Sequence, residues 1–154
     1  MIFNVFNYIN IAIIILMLLP ELIGRMRHKL PSVGEHNSFL DFGYSASKFL
    51  CMALMVLPLL VKGGQFYLKK QMTMYIWLFT IIVLLIAYYT CWAIYKNPAY
   101  EKGAVAGILV IPAVIFADTG MRFSYLWLVL TAILHILCGL GIFSRYIDNG
   151  RRVS

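Results

Sequence analysis

The chain holds 154 residues, 62% of them hydrophobic and only 12% charged, with a net charge of +7. A soluble domain carries about twice that share of charged residues, so composition excludes a soluble enzyme or binding module. Nucleic acid is excluded as a partner as well: no Lys/Arg run is interleaved with stacking aromatics, and most basic residues flank apolar runs, where they meet lipid headgroups.

Five apolar runs fill the chain, at about residues 2–23, 42–61, 72–95, 103–120 and 123–145. As helices they are long enough to cross about 30 Å of hydrocarbon, the fourth only just. The longest polar stretch, Gly24–Asp41, is too short to fold alone, so residues 1–154 read as a single membrane domain. The expected fold is all-α, a polytopic transmembrane bundle of five helices.

The first run carries Asn7, Asn10 and Glu21. At 100° per residue these three fall within about 60° of one another, while Asn4 drifts off that face. Such a polar stripe faces the bundle or a partner subunit. Glu21 lies near the end of the run, where it also reaches headgroups or Arg25 at i+4. Met1–Asn10 has no positive n-region and no small-residue cleavage site follows, so this segment is expected to remain as a span.

The first loop holds Arg25, Arg27 and Lys29, together with His28, Glu35, His36 and Asp41. It reads as an anchor for anionic lipid headgroups. The other reading is an acid/base site for an enzyme acting on such headgroups. Lys48, at the start of the second run, is grouped with these loop cations.

Aromatic residues mark the run ends as interfacial belts: Tyr75 and Trp77 open the third run, Tyr88, Tyr89, Trp92 and Tyr95 close it, and Tyr125 and Trp127 open the fifth. Pro20 and Pro58 lie near the ends of the first two runs, and Pro112 should kink the fourth. Gly103 and Gly107 form one GxxxG that allows close helix contact. Asp118 and Arg122 flank the turn between the last two runs and can pair at i, i+4 if the helix reaches that far.

His135 lies at the centre of the fifth run. Helical spacing puts Thr131, His135, Cys138 and Ile142 on one face, with Gly139 beside them. This small, polar face should point into the bundle. There His135 is a neutral imidazole bonded to a neighbouring helix, or it relays protons or binds a ligand.

The three cysteines, Cys51, Cys91 and Cys138, all fall inside runs and form no CxxC, so a disulfide framework is not expected. Buried thiols of this kind are usually inert. Depth puts them with His135 in the inner half of the bilayer, where they are weak candidates for a soft metal. They come singly from three helices, without the paired spacing of metal sites, so no metal and no other cofactor is expected.

Lys and Arg placement sets the threading. Arg25, Arg27, Lys29, Lys48, Lys96, Lys102, Arg145, Arg151 and Arg152 fall on one side, nine in all, against Lys62, Lys69, Lys70 and Arg122 on the other. The expected topology is N-out/C-in.

Several stretches carry a resemblance: Leu19-Pro20-Glu21-Leu22-Ile23, Ser47-Lys48-Phe49-Leu50-Cys51-Met52, Ile111 through Gly120, and Leu134-His135-Ile136. In layout the chain resembles a group of small, uncharacterised bacterial integral membrane proteins with five spans. It has Glu21 where that group usually has Asn, and Asp118 where the position is usually apolar. The resemblance implies the five-span layout and no activity.

No Ser/His/Asp signature, HExxH or phosphate-cradling loop is present, so no catalytic residues are expected. Isolated polar groups without catalytic motifs favour a transport, channel or accessory role for a small solute or ion. The alternatives are a membrane-embedded enzyme acting on lipid or a lipid-soluble substrate, and a structural or regulatory subunit of a membrane complex. The expected setting is the plasma (inner) membrane, with anionic headgroups on the inner side and a second copy or a partner membrane subunit alongside.

Overall fold

A computed structural model describes the backbone of residues 2–26, 38–56, 71–95 and 97–152, and the side chains of 8–23, 39–56, 72–95 and 97–148. Helix is the expected backbone state for such apolar runs, since in hydrocarbon each N–H and C=O must find its partner within the segment. The described residues form five helices and no strand: α1 (Ile2–Met26), α2 (Ser38–Val56), α3 (Gln71–Ile94), α4 (Glu101–Arg122) and α5 (Leu126–Arg152). Each of α2 to α5 contains a stretch long and apolar enough to cross a membrane, and α1 adds the shorter apolar segment Tyr8–Ile23. Large apolar side chains face outward on every helix, among them Ile15, Phe49, Phe79, Val114 and Leu137. That is the surface of a small multi-pass membrane protein.

The helices close into a ring. α1 lies against α2 and α3, α2 against α5, α5 against α4, and α4 against α3. The α4–α5 contact is the most extensive, and α1 makes the fewest close approaches to its neighbours. Inside the ring, Met17 of α1, Cys51 and Met55 of α2, Trp77 and Ile81 of α3, Ile115 and Phe116 of α4, and Leu128 and Ala132 of α5 build one apolar core.

The fourth span is longer than its apolar run. α4 has 22 residues and continues through Pro112 and on through Asp118-Thr119-Gly120. The turn to α5 therefore lies at 123–125, not around Asp118. Ser124 sits there at φ 54°, and Tyr125 N–H donates to Gly120 O at 2.8 Å. Gly120 is needed because a Cβ there would meet the Val129 backbone at 3.0 Å. At the other end of α4, the Glu101 carboxylate complements the helix dipole and accepts a hydrogen bond from the Tyr146 hydroxyl.

Three further expectations change. Lys48 is not a loop cation: it lies ten residues inside α2 and is buried, so it no longer counts toward threading. Trp77 and Tyr88 do not face outward as belt residues would, since both are fully buried. Of the GxxxG pair, Gly107 packs directly under Cys91 of α3, whereas Gly103 has open space around it. Tyr75 and Trp127 do face outward, as belt residues would. His28, Glu35, His36, Pro58 and the loop lysines at 62, 69 and 70 lie outside the described residues, as does the side chain of Asn7.

Candidate functional site

Inside the ring, polar side chains from four helices meet. Tyr44, Ser47, Lys48 and Cys51 recur on α2 at helical spacing, so one inward stripe presents a phenol, a hydroxyl, an ammonium and a thiol. Glu21 comes from α1, Tyr88 from α3 and His135 from α5.

Lys48 Nζ pairs with Glu21 Oε1, and the two side chains are 9% and 19% exposed. The Tyr88 hydroxyl donates to the same oxygen at 3.0 Å. Nearer the other end of α1, Asn10 Nδ2 donates to Met55 O of α2 at 3.2 Å. Between these two links α1 advances eleven residues, about 16 Å, while α2 retreats seven, about 10 Å. The Lys48 stem spans the difference, so its ammonium lies well away from its own Cα, toward the C-terminal end of α1. Glu21 thus finds its partners inside the chain, and Asn10 does so through Nδ2, while its Oδ1 is buried with no hydrogen-bond partner among the described residues.

Beside this pair, Ser47 Oγ lies 3.0 Å from His135 Nδ1. Ser47 also lies 3.0 Å from Tyr44 O, three residues back, and donates its single hydroxyl proton there. Its lone pair then accepts from Nδ1–H, which leaves the lone pair of the neutral imidazole on Nε2. Tyr44 stacks on the ring at 4.3 Å between centroids, and Phe116 meets its edge at 6.2 Å. Nε2 is buried with no hydrogen-bond partner among the described residues. Gly139, one turn on, has no side chain, and the Tyr44 ring and Leu109 O pack where a Cβ would point.

The other expected site residues are not part of this cluster. Asp118 and Arg122 pair with each other in the last turn of α4, Nε donating to both carboxylate oxygens at 2.9 and 3.0 Å. Thr131 donates back to Trp127 O within α5. Cys51 is buried beside Thr131, Cys138 packs on Gly43, and Cys91 packs on Gly107. These thiols face different neighbours, and no group of three or more metal-ligating side chains converges among the described residues.

Sequence reading found His135, Glu21 and Asn10 but passed over Lys48, Tyr44, Ser47 and Tyr88. A signal for Lys48 was present: an ionisable residue seven places into an apolar run marks an intramembrane site by default. Tyr88 carried none, because a tyrosine near a span end looks the same whether it faces lipid or a buried carboxylate. No family model, no curated protein and no solved structure is similar to the chain.

Proposed function

We propose that this small membrane protein moves a small solute or ion across the membrane, and that the polar network inside the ring is its working centre. The observation that carries this reading is the largely buried Glu21–Lys48 pair, 19% and 9% exposed, held by Tyr88. Two ions kept out of water cost several kcal/mol that an apolar contact would not, so their retention calls for a use. Five helices surround these groups, as a passage or a carrier site requires. An enzyme acting on lipid through His135 is disfavoured because that side chain is fully buried under Tyr44 and Phe116.

We infer a plasma (inner) membrane setting, N-out, on the remaining Lys/Arg asymmetry. A second copy or a partner subunit alongside is supported by the open surface at Gly103. The test of function is flux. Protein reconstituted in vesicles should collapse an imposed pH gradient, or pass small organic ions, faster than protein-free vesicles. The folded double variant Glu21→Leu/Lys48→Met should not. Wild-type flux no faster than that of empty vesicles, for protons and for every solute tried, overturns the proposal.

A further inference from the structure

We propose that Lys48 and Tyr88 form the binding site of a small monovalent carboxylate, which the Glu21 carboxylate occupies in its place and vacates on taking up a proton. This rests on the solute-moving reading above and names its substrate class.

Glu21 Oε1 receives both the Lys48 ammonium and the Tyr88 hydroxyl. One cation and one phenolic donor converging on one oxygen make a carboxylate cradle, and any other carboxylate meets the same donors there. The resident pair has zero net charge. A proton added to Glu21 alone would leave a net positive charge in a low-dielectric interior, which is strongly disfavoured. An incoming carboxylate restores neutrality. Lys48 and Tyr88 turn to the newcomer, and the protonated Glu21 becomes a hydroxyl donor that bonds its second oxygen. The balance is simple: one proton and one anion enter together, the only covalent bond formed is O–H on Glu21, and the site stays neutral.

The surroundings fit this exchange. The groups facing Glu21 are Lys48 and Tyr44 from α2 and Tyr88 from α3. His135 of α5 lies within electrostatic reach of Lys48 and is engaged by Ser47. Among the described residues a single cation serves the cradle, so a second negative charge on the ligand would meet no counter-charge from these groups. Glu21 is the more exposed partner of the pair and lies five residues, about 8 Å, from the end of α1, so proton and anion can enter from that side. α1 is also the helix with the fewest close approaches to the rest, and it can yield as the partners exchange.

The experiment measures binding of acetate to the purified full chain in lipid nanodiscs, by calorimetry together with a pH-indicator dye. Chloride is the comparison anion. Wild type should take up about one proton per acetate, and its affinity should fall as pH rises, by up to about tenfold per pH unit. Glu21→Gln should bind acetate without proton uptake and without that pH dependence, and Lys48→Met should lose binding at least about tenfold. Tyr88→Phe, which removes one hydroxyl and no charge, should weaken acetate about tenfold, so the test does not depend on a charge variant folding. Acetate binding without proton uptake, unchanged affinity in Lys48→Met or Tyr88→Phe, or chloride binding in preference to acetate would each overturn the proposal. Failure of wild type to bind acetate, while vesicles still show flux, overturns the carboxylate site and leaves the transport reading standing. Proton-linked acetate binding without any flux supports the site and overturns the transport reading.

Discussion

Ser47 Oγ and His135 Nδ1 lie 3.0 Å apart at the middle of α2 and α5, joining residues 88 places apart in the chain. Because Ser47 donates its proton to Tyr44 O, the imidazole is fixed in the tautomer that carries its hydrogen on Nδ1. The bond also ties the α2 stripe that holds Lys48 to the α5 face that holds His135.

His135→Asn should preserve much of this link, because the amide can still donate to Ser47, whereas His135→Leu should remove it. The difference should be about 0.6–2 kcal/mol in unfolding measured by denaturant titration in detergent, too little to disperse the bundle. Full flux retained in folded His135→Leu, across the pH range, would take His135 out of the working centre.

Breaking the Glu21–Lys48 pair from one side should hurt more than removing it whole. Glu21→Gln or Lys48→Met alone should destabilise by about 2–3 kcal/mol, at the low end for a buried pair because Glu21 is 19% exposed. Glu21→Leu/Lys48→Met together should recover most of that loss. Additive losses in a double-mutant cycle on melting temperature would show that the two charges do not depend on each other.

The two glycines of the GxxxG should behave oppositely. Gly107→Ala places a methyl against the Cys91 side chain and should cost about 1–3 kcal/mol, with partial rescue by Cys91→Ala. Gly103→Ala meets open space and should be neutral or stabilise by up to about 1 kcal/mol through helix propensity. Equal effects at both positions, read from thermal unfolding, would contradict the packing at α3–α4.

Ser124 holds a left-handed backbone in the α4–α5 turn, so Ser124→Gly should stabilise by about 1 kcal/mol and Ser124→Val should destabilise. Melting curves of the two variants check the sign directly.

A reporter fused after residue 154 should be active only on the inner side if the chain threads N-out. Activity on the outer side would invert the orientation and with it the side from which Glu21 is reached.

The five helices were legible because hydrocarbon demands long apolar runs and satisfies the backbone in only one way along each of them. Their ends were less so. α4 outran its apolar stretch because Asp118 and Arg122 neutralise each other at i, i+4 and can stay helical, while the sequence of charges alone reads as a turn. The candidate site was half legible. His135 and Glu21 stood out as polar residues in apolar runs. Their joining with Tyr88, Ser47 and Lys48 was hidden, since which faces meet depends on the ring order α1-α2-α5-α4-α3, and helical spacing within one segment carries no record of its neighbour. Lys48 was missed for a different reason: it follows the first-loop cations closely enough in the chain to be grouped with them, although it stands seven residues into an apolar run.

α1 is keyed to the bundle through Asn10 on Met55 O and Glu21 on Lys48, eleven residues apart and so about three turns along one stripe, and between them Leu16 O accepts from the Tyr89 hydroxyl of α3 at 2.7 Å. Slippery leucine and isoleucine faces would let a helix glide against its neighbours, since lipid is as good a contact as protein. With these contacts fixed along its length, a one-residue slide or a quarter rotation would strain all of them together. α1 is thus indexed rather than glued: directional bonds at Asn10, Leu16 and Glu21 give it one seated position among faces that would otherwise slide.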